Sequence, residues 1–67
     1  MLQQHLVMAE RHVALGEKHV LKQEALIAEL DRDGHNTADA LKLLAIMRAT
    51  QRLHRQDRDR LLADFDR

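Results

Sequence analysis

The sequence predicts an all-α fold, an antiparallel two-helix hairpin that dimerises into a four-helix bundle. Three observations lead there: a seven-residue recurrence, one helix-breaking stretch near the middle, and a composition suited to bundles. His5, His12 and His19 recur at a spacing of seven, and so do Glu10, Glu17 and Glu24. Seven residues are close to two helical turns, so each set forms a column along one helix. Proline is absent, glycine occurs only at Gly16 and Gly34, and Phe65 is the only Phe, Tyr or Trp, yet 45% of the chain is apolar. That balance favours long helices over strands or disorder. A chain of 67 residues with no cysteine has neither disulfides nor thiolate metal sites to supplement a small core. Assembly, or a metal held without thiolate, is the remaining route to stability.

The whole chain, 1–67, reads as one hairpin domain. Helix 1 is expected over about 2–31, closing with Arg32 near the end and Gly34 as a left-handed cap. The turn occupies 32–36, and helix 2 runs over about 37–64. Asn36 or Thr37 can act as N-cap, and Asp39 in the first turn suits the helix dipole. The same stretch begins like a calcium loop, but Lys42 stands where a bidentate Glu is required. Two helices of about 28–30 residues are each about 42–45 Å long, and a short connection makes them antiparallel neighbours.

The first helix is expected to turn a seam of Leu2, His5, Ala9, His12, Gly16, His19, Gln23, Leu26 and Leu30 inward. Leu6, Val13, Val20 and Ile27 flank it on one side, and Met8 and Leu15 on the other. The matching seam of helix 2 is Ala40, Leu44, Met47, Gln51, His54, Arg58, Leu61 and Phe65. Equal rise along both helices puts His54 opposite Leu15 and Gly16, Gln51 near Lys18 and His19, and Asp57 near His12. Gly16 then leaves room for the imidazole of His54. Apolar layers at the two ends would enclose a polar middle of His12, His19, His54, Gln51 and Asp57, which must find partners.

Such a layer can simply set register and oligomer state, as isolated polar core residues do in coiled coils. Its alternative is a cofactor site: His12, His19 and His54 for haem or a transition metal, with Asp57 as a further metal ligand. Histidines seven apart lie about 10.5 Å from each other on one helix, so no single helix completes such a site. A second alternative is a small RNA- or DNA-binding hairpin dimer using the stripe Arg48, Arg52 and Arg55. Zero net charge and the lack of stacking aromatics count against it, and acidic columns offer those arginines ordinary partners. There is no serine or cysteine nucleophile and no glycine-rich phosphate loop, so the expectation is a non-enzyme. No leader pattern or membrane-length apolar run is visible, so a soluble cytoplasmic protein without membrane partners is expected.

Three segments carry a resemblance: Ala9-Glu10-Arg11-His12-Val13, Asp33-Gly34-His35-Asn36-Thr37, and Thr50-Gln51-Arg52-Leu53-His54 with Asp57-Arg58-Asp59-Arg60-Leu61-Leu62. In these the chain resembles a group of short, uncharacterised bacterial helical-hairpin proteins. The resemblance implies the hairpin and assigns no activity or site residue. In length and topology the chain also looks like the small plasmid-encoded RNA-binding hairpin dimers of the Rop type, without a shared motif. The reading that follows is a non-enzymatic homo-oligomeric interaction or regulatory module, partnered by its own copy or by another helical protein, with no cofactor required.

Overall fold

Residues of high helix propensity and no proline carry the backbone through two uninterrupted helices, α1 (Leu2–Arg32) and α2 (Ala38–Phe65). The computed structural model describes residues 2–65, with side chains from Gln4 to Phe65. The stop between the helices is built from backbone hydrogen bonds. Gly34 adopts φ +79°, its N–H donates to the Asp31 carbonyl at 3.1 Å, and the His35 N–H donates to the Leu30 carbonyl at 2.9 Å. Those two bonds are a Schellman closure, which satisfies carbonyls the helix would otherwise leave open. On the far side the Ala38 N–H donates to Asn36 Oδ1 at 2.9 Å, so Asn36 is the N-cap.

The helices pack antiparallel into a rod of 52 × 14 × 14 Å. On α2 the seam is the expected one except at its end: Leu44 and Gln51 are buried, Ala40, Met47, His54, Arg58 and Leu61 are half-buried, and Phe65, expected inward, is 50% exposed because the hairpin offers it no facing partner surface. On α1 the seam differs from the expectation. Ala9, Val13 and Gln23 are buried, and Leu6, Gly16, Val20, Ile27 and Leu30 are half-buried, again at alternating steps of three and four. His5, His12, His19 and Leu26 are exposed. The column of Leu6, Val13, Val20 and Ile27, expected as a flank, therefore belongs to the centre, and the histidine column flanks it. β-Branched and leucine side chains lose more water-exposed apolar surface on burial than imidazoles, so the rotation follows the hydrophobic gain. The side chain of Leu2, expected in the open-end layer, lies outside the described residues.

Candidate functional site

The middle of the rod is polar, and a glycine makes it so. Gly16 has no side chain, and a Cβ there would stand 1.7 Å from Gln51 Oε1 and 2.6 Å from its Cδ. The amide of Gln51 occupies that space, only 4% of the residue is exposed, and its Nε2 donates to the Val13 carbonyl at 2.7 Å. Gly16 thus seats Gln51 rather than His54. A second amide works the same way toward the loop, where Gln23 Nε2 donates to the Ala40 carbonyl at 3.0 Å. Both glutamines reach across to main-chain oxygen, and two such bonds at separate levels pin the axial register of the helices.

One turn beyond Gln51, the half-buried His54 faces His12, with ring centroids 5.5 Å apart and planes inclined by 35°. His54 Nδ1 is shut off from solvent and has no hydrogen-bond partner among the described residues, and the same holds for Gln51 Oε1. His12, His19 and His54 line one open groove with Leu15, Ile46 and Thr50. Asp57 lines the adjoining groove, again with His12, and pairs with Arg60. The structure therefore brings His12 and His54 together, keeps His19 on the same groove and puts Asp57 on the adjoining groove with His12, but His12, His19 and Asp57 are exposed rather than enclosed as the expected polar layer required. Among the described residues, no three His, Asp or Glu side chains converge closely enough to hold a metal ion. Within one chain His12 and His54 are at most half of a ligand shell.

The opposite side of the rod carries charge. Arg55 meets Glu17 at 3.5 Å and Arg48 meets Glu24 at 3.7 Å, while Arg52 lines the groove between these pairs. Two arginines of the basic stripe thus already face carboxylates of α1. All four side chains are about half exposed, where ion pairs contribute little. Replacing Arg48 and Arg55 together by glutamine is expected to cost no more than about 1 kcal/mol per pair in urea unfolding. A much larger loss would mean that this side is desolvated in the assembled protein.

Sequence reasoning missed the seat that Gly16 makes for Gln51 and the bond of Gln23 to α2. A glycine in mid-helix, which costs about 1 kcal/mol relative to alanine, was the available signal. Fold and site together define a class, an antiparallel helical hairpin with a histidine-lined groove on one side and ion pairs on the other. No protein-family model, no curated protein and no solved structure matches the chain.

Proposed function

We propose that the chain is a non-enzymatic homo-oligomeric helical module, in which two hairpins dock through the histidine-lined side to form a four-helix bundle. The observation that carries this is the apolar surface left on that side. Leu15 and Ile46 line the histidine groove and are exposed to 52% and 63%, and Met8, Leu26 and Leu43 are exposed at neighbouring helical positions. Leu21, exposed to 67% on the other side, instead stands among Glu17, Glu24, Arg48 and Arg55. The chain exposes 5374 Å², against about 4,400 Å² for a compact monomer of its mass. The excess of about 1,000 Å² follows from the elongated shape, and it exceeds the roughly 800 Å² that one partner contributes to an interface of standard size.

A second copy is the occupant that fits. It supplies the same length of apolar face along a rod of 52 Å, and on the charged side Arg55 and Arg48 already meet Glu17 and Glu24 within each hairpin. Self-docking on a two-fold axis turns the columns of His5, His12 and His19 into the interior, where they form a polar layer between hairpins. Such a layer suits a scaffold or regulatory module whose pairing is specific.

Sedimentation equilibrium and native mass spectrometry test this directly. The expected result is a dimer, with Leu15→Glu plus Ile46→Glu weakening association at least about 100-fold because two carboxylates lose their water. Leu21→Glu, on the charged side, is expected to leave the dimer intact. A native chain that runs as a folded monomer at micromolar concentration, or that needs a different protein to associate, overturns the reading.

A further inference from the structure

We propose that His12 and His54 form half of a transition-metal site that a second copy of the chain completes, an inference that rests on the dimer reading above. Two imidazoles bound to one tetrahedral ion at about 2.0–2.1 Å hold their ring centroids about 5 Å apart. His12 and His54 stand at 5.5 Å without any ligand, so the two rings already lie close to the separation that a shared ion requires. His54 Nδ1 is closed to solvent, so the nitrogen left to an ion in the groove is Nε2, with the ring proton held at Nδ1.

The groove that holds the pair opens onto the apolar side, so the missing ligands come from across the interface. A two-fold axis along the rod brings the two His12–His54 pairs face to face, giving four imidazoles around one ion per dimer. A two-fold axis across the rod at the level of Gly16 and Gln51, near the middle of both helices, brings His19 of the partner subunit level with each pair. That gives three imidazoles and an open position at two sites per dimer. An all-imidazole set without thiolate selects Zn(II), Ni(II) or Cu(II) over softer ions. Neutral imidazoles leave the charge of the ion uncompensated, and Asp57, on the groove adjoining His12, is the nearby carboxylate that offsets it, in competition with Arg60.

The test is native mass spectrometry and calorimetry of the untagged full chain, stripped with chelator and titrated with Zn(II). The expected result is a dimer retaining one or two zinc ions. His12→Ala, at an exposed position that should leave the hairpin folded, is expected to weaken zinc binding at least 10-fold, and His54→Ala likewise, while His35→Ala in the turn changes nothing. A dimer that binds no zinc, or binds it equally well with His12→Ala, overturns the metal site and leaves the dimer standing. A zinc-free monomer overturns the assembly and the site together.

Discussion

Leu44→Ala is expected to unfold about half or more of the protein at 25 °C. Among the described residues the nine-tenths-buried apolar side chains are Ala9, Val13 and Leu44, and no side chain is completely enclosed. Leu44 is the largest of them. Truncating a buried leucine costs about 2–5 kcal/mol, and a core this small supplies on the order of 3–5 kcal/mol in total. The loss therefore equals the margin, and helical circular dichroism should collapse or melt far earlier. Leu21→Ala removes the same atoms from a side chain that is 67% exposed and should shift the midpoint only slightly. Equal behaviour of the two variants would mean that the seam assigned to α2 carries no special share of the stability.

Gly16→Ala is expected to change sign with the residue at position 51. Alanine improves a helix interior by about 1 kcal/mol over glycine. In the native background the new methyl takes the place of the Gln51 amide, which must give up its 2.7 Å bond to the Val13 carbonyl and find another exit from a buried site. Displacing a buried, hydrogen-bonded amide costs about 1–3 kcal/mol, so the net effect is a loss on the order of 1 kcal/mol. With Gln51→Ala the seat is empty, and the same methyl stabilises by about 1 kcal/mol. Urea unfolding of the four proteins gives the coupling directly, about 1–3 kcal/mol if the seat is as described. Strict additivity would show that glycine and glutamine act independently.

The helices, their caps and the seam of α2 were legible in the residues, because each rests on local rules. Gly34 takes the left-handed conformation expected of it, Asn36 caps, and Leu44, Met47, Gln51 and His54 turn inward at the predicted spacing. The seam of α1 was not, and the reason is physical. Its apolar arc faces two surfaces at once: Leu6, Val13, Val20 and Ile27 meet α2, whereas Met8, Leu15 and Leu26 stay open on the other side. An average over the arc points between them, onto the histidines. That error of one column moved the register as well. Axial rise sets which residues lie level only to within a turn, and the facing columns decide which pairs meet, so Gln51 finds Gly16 and His54 finds His12. The neighbourhood of His12 and Asp57 survived because both lie at the edge of the seam, where a small rotation changes little.

Gly34 has a role larger than capping. With a side chain at that position, φ near +79° is disfavoured by about 1–2 kcal/mol, and few other features of the short connection prevent helical backbone from running straight through it. A continuous helix from Leu2 to Phe65 would be about 96 Å long, and two such chains laid side by side could re-form the α1 against α2 seams between molecules instead of within one. One left-handed residue thus separates a folded-back protomer from an exchanged, doubled rod.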